Sequence, residues 1–365
     1  MSRLRVAVIG AGNIAQQHLP VLGGYPDCEV AVLCDANPAI LAETAERFTA
    51  PGAALANQDP PERLTDVRAV LARDDLDAVF VLVSVLAVAR VAGQFVAAGM
   101  PSFIEKPPGI ASAETERLAE LQQRHGTVAV VGLNRRFYSS HLEARRRLLA
   151  HGPVATVTVE AHEDLTRAVT RDKFPPPVLR RWAYANGIHA LDLLRFFGGE
   201  VAEVDAERAT VEDAARNGAP DSISARLRYV SGARGRAAVD WIGPGRHRFE
   251  VRSIGATATS RPSFGGTEWA VRGQPVEVIE PDADDTRYKP GFWKQDAAFL
   301  EGVRRGRQPD WPSVTLADAH ATMAMLDRIC GFPAATAAST RSLRPAIQCG
   351  ATATRSSDSR ASISR

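Results

Sequence analysis

Short apolar runs alternate with helix-length amphipathic stretches over residues 1–134. The runs at 5–9, 29–34, 77–83, 102–105 and 127–132 are of strand length and rich in β-branched residues. Between them, 14–22, 39–48, 87–98 and 114–123 carry helical periodicity. Strands that alternate with helices predict parallel pairing in a doubly wound sheet. Runs such as Ala78-Val-Phe-Val-Leu-Val83 are apolar on both faces, as a sheet covered by helices on both sides requires.

After a connecting helix near 141–150 the pattern changes. Residues 154–160, 201–209, 223–230, 235–241, 249–254, 267–271 and 276–279 read as successive strands, several of them alternating. One strong helix, 188–197, interrupts them; Asn186 is a good N-cap for it and Gly198-Gly199 a good stop. Short polar turns between strands predict a mainly antiparallel, open sheet in a second, α+β domain. A helical pair at 293–304 and 316–329 closes it. The expected division is therefore a doubly wound, Rossmann-type α/β domain at 1–134, an α+β domain at 135–332, and a disordered tail at 333–365.

Composition narrows the classes. The chain is 45% hydrophobic and 24% charged, with a net charge of only +2, and its arginines are interleaved with acids rather than gathered into a stripe. Neither feature favours nucleic acid. The most apolar stretch, 78–89, is about half of what a membrane helix needs, so no membrane partner is expected. A strand begins directly after Met1-Ser-Arg, leaving no room for a signal peptide. Cys28, Cys34, Cys330 and Cys349 show no metal-ligand spacing and suit reduced thiols, so a cytoplasmic protein without a metal site is expected.

The strongest motif is Val6-Ala-Val-Ile-Gly10-Ala-Gly12-Asn13-Ile14-Ala15, a strand, a glycine turn and a helix start in order. Gly10 permits the tight turn, Gly12 lets a pyrophosphate approach the backbone, and Ala15 keeps helix and strand close. Asp35 ends the second strand 23 residues after Gly12. A carboxylate there accepts hydrogen bonds from ribose hydroxyls and repels a 2′-phosphate, which favours NAD over NADP.

Phe103-Ile-Glu105-Lys106-Pro107 at the end of the fifth strand, with that glycine turn, resembles the glucose-fructose oxidoreductase/inositol dehydrogenase (Gfo/Idh/MocA) family. The resemblance continues through Asn134-Arg135-Arg136-Phe137, Gly187-Ile-His189-Ala-Leu-Asp192 and Phe299-Leu300, covering roughly residues 3 to 330. It implies that Lys106 binds a substrate hydroxyl beside the nicotinamide and that His189 exchanges the hydroxyl proton. It also implies a homo-oligomer paired through the second-domain sheet, whose exposed face is expected to be costly to leave in water. Asp192, three residues after His189, shares its helix face and is expected to orient the imidazole. Ser84 and Glu105 join the glycine turn as expected cofactor contacts, and Asn134, Arg135, Tyr184 and Asp192 as substrate contacts. The chain departs from the family pattern twice: Ala185 stands where an aspartate is usual, and Ser84-Val-Leu-Ala-Val-Ala replaces the usual proline and histidine.

The expected function is NAD-dependent hydride transfer at a secondary hydroxyl or ketone of a sugar, cyclitol or sugar derivative. Two alternatives stand beside it: an NAD-binding regulator without turnover, motivated by Ala185, and an enzyme that recycles its bound NAD internally.

Overall fold

The computed structural model describes residues 3–167, 172–214, 218–262 and 265–332; the tail expected at 333–365 lies outside them. Six strands, β1 (Leu4–Ile9), β2 (Cys28–Cys34), β3 (Glu62–Leu64), β4 (Ala78–Val81), β5 (Ser102–Glu105) and β6 (Ala129–Gly132), form a parallel sheet. Its order is β3-β2-β1-β4-β5-β6. Helices α1 (Ala15–Gly24), α2 (Pro38–Thr49), α3 (Val67–Leu71), α4 (Val88–Ala97) and α5 (Ser112–His125) connect the strands. Every residue of β4, β5 and β6 is buried, because helices cover both faces. The strand order reverses between β1 and β4, and the crevice at their carboxyl ends is where such sheets bind ligands. The short β3 and α3 had no sequence signal.

A 3₁₀ turn (Asn134–Phe137) and α6 (Ser139–His151) lead into the second sheet. It comprises β7 (Val154–Asp164), β8 (Val201–Ala209), β9 (Ser222–Tyr229), β10 (Arg234–Asp240), β11 (Ile242–Ser253), β12 (Ala256–Ser260), β13 (Thr267–Val271) and β14 (Glu277–Ile279). The order is β14-β13-β12-β11-β7-β10-β9-β8, antiparallel except for the β7–β10 pair. Between β7 and β8 lie α7 (Pro176–Leu179), a π-helical turn (Ala183–Gly187) and α8 (Ile188–Gly198). Asn186 is not the cap expected of it. It lies inside the π turn, and its amide donates to Glu163 Oε2 at 2.7 Å.

The inner face of this sheet buries Ile223, Ala225, Leu227 and Tyr229, while Ser224, Arg226 and Arg228 face outward. The outer face is charged, with cross-strand pairs Arg226–Asp205 and Arg228–Glu203 and the pair Arg252–Glu250 along one strand. Such a face is compatible with water, which removes the reason given above for covering it with a second subunit.

The chain then returns to the first sheet. After α9 (Ala283–Arg287), α10 (Phe292–Arg305) packs on α1; β15 (Val314–Thr315) pairs antiparallel with β6, and α11 (Leu316–Cys330) packs on α5. Both sheets consequently belong to one compact unit, Met1–Ala334. A buried ion network ties the halves. Arg136 donates through Nε and Nη2 to both oxygens of Asp192, at 2.6 and 2.7 Å, and through Nη1 to Asp318. Asp318 also accepts from Arg195, and Asp192 from the Thr322 hydroxyl at 2.8 Å.

Arg136 and Asp192 are each only 3% exposed in their side chains, so removing one strands the other's charge. Asp192→Ala is expected to cost about 3–5 kcal/mol in urea denaturation. A loss below about 1 kcal/mol, the value of an exposed pair, would contradict this account.

Candidate functional site

The crevice at the switch point is a groove walled by the β1–α1 turn, the end of β2, the loop after β4 and the end of β5. Gly10, at φ +101°, makes the turn; a Cβ there would lie 2.6 Å from the Leu82 carbonyl oxygen. Gly12 has nothing within 4 Å of where its Cβ would project. That open space, beside Asn13 and Ile14, is a cradle for a close-packed group. No side chain caps α1, although its Ala15 and Gln17 amides already turn back on the Gly12 and Ile14 carbonyls. Ala15 is fully buried behind the turn and does not line the groove.

Asp35 lines the far wall. Its Oδ2 accepts from the Ala11 amide and its Oδ1 from the Asn37 amide, both at 2.8 Å. Two of the carboxylate's roughly four lone-pair positions remain for a ribose. Ser84 lines the groove together with Val83 and Val85, giving the apolar wall that this loop's sequence implied. Thr65, Arg90, Lys173 and Phe174 also line it; they come from separate segments without a motif, so no local pattern marks them.

Glu105 and Lys106 mark the other end. The cis bond between Lys106 and Pro107 belongs to this corner. Lys106 Nζ donates to the backbone carbonyl of Ala185 at 3.1 Å, the residue that stands where an aspartate is usual. Burial pushes the Lys106 ammonium below its ordinary pKa, as do the charges of Lys289 and Arg135, against the pull of Glu105 and Glu163. His189 is pushed well below 6.5 by burial and by Lys106, Arg135 and Lys289, so it is neutral at pH 7. Its Nδ1 is buried without a hydrogen-bond partner among the described residues. Arg135 is itself pushed down to about 10, by burial first.

Asp192 does not orient His189: both its oxygens are engaged by Arg136. Tyr184 is wholly buried, and its hydroxyl donates to Asp327, so it is a packing residue. Asn134 is also buried, its amide donating to Pro290 O at 3.0 Å. Of the four expected substrate contacts, only Arg135 stands with Lys106 and His189. Glu163 had not been foreseen. Burial alone would raise its carboxyl pKa, but bonds from His247, Asn186 and Trp182, at 2.8, 2.7 and 2.9 Å, hold it below the ordinary value. These residues are scattered along the sequence, so no spacing could announce them.

A glycine-cradled groove with an acid for the ribose and a lysine at its inner end defines an NAD-dependent oxidoreductase. Comparison with known proteins agrees. Residues 4–133 match the model of an oxidoreductase family with an NAD-binding Rossmann fold, and residues 150–259 match the GFO/IDH/MocA C-terminal domain. The chain belongs to the Gfo/Idh/MocA family of oxidoreductases, and it is a dehydrogenase acting on CH–OH groups with NAD. It is 23% identical to the 4-carboxy-2-hydroxymuconate-6-semialdehyde dehydrogenase of Sphingobium sp., over 89% of this chain and 98% of that one. It is 25% identical to the inositol 2-dehydrogenase of Rhizobium meliloti, over 84% and 90% respectively. An Agrobacterium radiobacter oxidoreductase solved with NAD+, L-tartaric acid and magnesium shares the fold (TM-score 0.73, 17% identity, 89% and 95% covered). Among the described residues, no helix is long and apolar enough to cross a membrane, and no group of His, Cys, Asp and Glu could hold a metal.

The two glycines are expected to separate folding from binding. Gly10→Ala forces an L-residue into positive φ against the Leu82 carbonyl and costs at least about 1–3 kcal/mol of stability. Gly12→Ala keeps wild-type stability within about 1 kcal/mol but weakens NADH binding about tenfold or more, read by fluorescence titration. Equal effects on both properties in both variants would refute the assignment.

Proposed function

We propose that this enzyme oxidises a secondary hydroxyl of a sugar, cyclitol or sugar derivative, or reduces the matching ketone. Lys106 and His189 act on the reacting oxygen. The observation that carries the reading is their convergence: Lys106 Nζ sits on the Ala185 carbonyl, four residues before His189, at the inner end of the groove. Inositol 2-dehydrogenases among the relatives support a polyol substrate.

Gly10, Gly12, Asn13 and Ile14 cradle the pyrophosphate, Asp35 the adenosine ribose, and Ser84 and Glu105 the nicotinamide end. The bound nicotinamide supplies the hydride acceptor or donor. Lys106 uses one ammonium proton on Ala185 O and keeps two for the substrate oxygen, where it stabilises the negative charge that develops. Its lowered pKa makes it a stronger donor to that oxygen. His189, neutral at pH 7, accepts the hydroxyl proton. Arg135 borders the substrate.

We place the enzyme in the cytoplasm, where its buried free thiols Cys28, Cys34 and Cys330 stay reduced. We also propose a homo-oligomer through the second sheet, held by complementary charge rather than apolar area; a monomeric mass at low salt would dismiss it.

NADH absorbance with NAD against cyclitols, sugars, sugar acids and nucleotide sugars tests the reaction. Lys106→Ala is expected to lower kcat about 10²–10³-fold on whichever substrate responds. Unchanged turnover in that variant would remove Lys106 from the chemistry. Asp35→Asn keeps the acceptor for the Ala11 amide but removes the charge, and should shift preference towards NADP by about tenfold. An unshifted ratio would detach Asp35 from cofactor choice.

A further inference from the structure

His18 lies in α1, the helix that springs from the glycine turn, yet its ring is 0% exposed. Phe80, Phe103 and Phe292 enclose it, with ring centroids 5.7, 5.1 and 4.8 Å away. An imidazole so enclosed has no water to bond. Its Nδ1 instead meets Asp296 Oδ2 at 2.7 Å, and Asp296, from α10, is also 0% exposed. Its Nε2 lies 3.7 Å from Glu105 Oε1, within ion-pair range but beyond a hydrogen bond. Glu105 is 6% exposed and lines the cofactor groove one residue before Lys106.

Three charged groups from three elements thus meet out of water. With the ring neutral, Asp296 and Glu105 would be two carboxylates in one apolar box, which forces one of them to take up a proton. With the ring charged, His18, Asp296, Glu105 and Lys106 sum to zero. We propose that His18 and Asp296 form a buried ion pair that positions Glu105 at the nicotinamide end of the groove. NAD affinity then depends on a side chain of α10, which has no part in the glycine turn.

Burial opposes protonation of His18, but Asp296 and Glu105 outweigh it and hold the imidazole pKa up to about 9. The groups facing the ring are those two carboxylates and three phenylalanines. The pair's contribution is therefore complete below the ordinary histidine value and is lost as pH rises through about 9. His18 and Asp296 are positioning residues: they act on the cofactor only through Glu105. The inference rests on the placement of Glu105 at the cofactor in the proposed function.

The test is NADH binding by the full chain at pH 7.5, with circular dichroism confirming the fold of every variant. Glu105→Gln comes first: wild-type affinity would refute the placement of Glu105 itself, and the pair's role with it. With Glu105 established, His18→Gln and Asp296→Asn should each weaken NADH about tenfold or more. Neither should add to the loss in a double variant with Glu105→Gln, because all three act through one carboxylate. Binding within about twofold of wild type, or losses that multiply, would overturn the proposal. Should either single variant fail to fold, His18→Leu with Asp296→Leu replaces the pair by an apolar contact that such sites tolerate. It should fold and still bind NADH weakly; normal binding would reduce the pair to a packing role. In wild-type protein, 15N-histidine spectra should show His18 doubly protonated at pH 8 and its signals moving when NADH binds. A neutral ring, or signals that NADH leaves in place, would also overturn the proposal.

Discussion

The geometry of the cofactor end depends on one backbone squeeze, at Gly10. Its amide donates to the Cys34 carbonyl at 2.7 Å on one side, and on the other the Leu82 amide donates to Ile9 O at 2.7 Å. The chain must leave β1 between two neighbouring strands, and a positive φ with no Cβ is the way out. That exit aims the amide of Ala11 at Asp35 and starts α1 over the crevice. The acid proposed to meet the adenosine ribose is therefore set by the same clamp that makes the glycine turn.

At the inner end the constraint is charge in a dry place. A carboxylate four residues before His189 would neutralise Lys106; Ala185 supplies a carbonyl dipole there. A dipole holds an ammonium in position without cancelling its charge, so the lysine keeps a lowered pKa and gives its hydrogen bonds more readily. Glu163 supplies part of that missing charge at a distance, held in place by Trp182, Asn186 and His247, but burial still outweighs it at Lys106. The neutral acceptor at Ala185 is consistent with a site tuned for a strong donor, and the alanine is no sign by itself of lost chemistry.

Much of this was legible from sequence because it is local. The strand–turn–helix around Gly10, Asp35 at the end of β2 and Lys106 at the end of β5 are fixed by neighbours in the chain. Helix periodicity located α8 and the final pair, with ends within one residue of those observed. What failed were the side-chain inferences whose partner lies far along the chain. His189 and Asp192 share a helix face, but Arg136, fifty-six residues from Asp192 in the chain, claims the aspartate. Tyr184 looked like a pocket residue until Asp327 claimed its hydroxyl. Asn186 reads as a cap because its type favours caps, but Glu163 on β7 bonds it and the helix begins in a π turn instead. The charged outer face of the second sheet was visible in Arg226 and Arg228, and alternation alone should have revealed it.

Long-range partners also explain why the last elements of the chain matter to the first. β15 edges the parallel sheet on β6, and α10 lies against α1. Burying polar groups at such a junction is costly unless they pair across it. Arg136 with Asp192 and Asp318, and His18 with Asp296, are both pairs of that kind. The two differ in what stands next to them. Arg136 is satisfied by the carboxylates of Asp192 and Asp318, and nothing in its network reaches the groove. His18 leaves Nε2 directed at a carboxylate that lines the groove, and Asp296 leaves Oδ1 without a partner among the described residues. A network that merely joined two halves would have no reason to stop one atom short of the cofactor site.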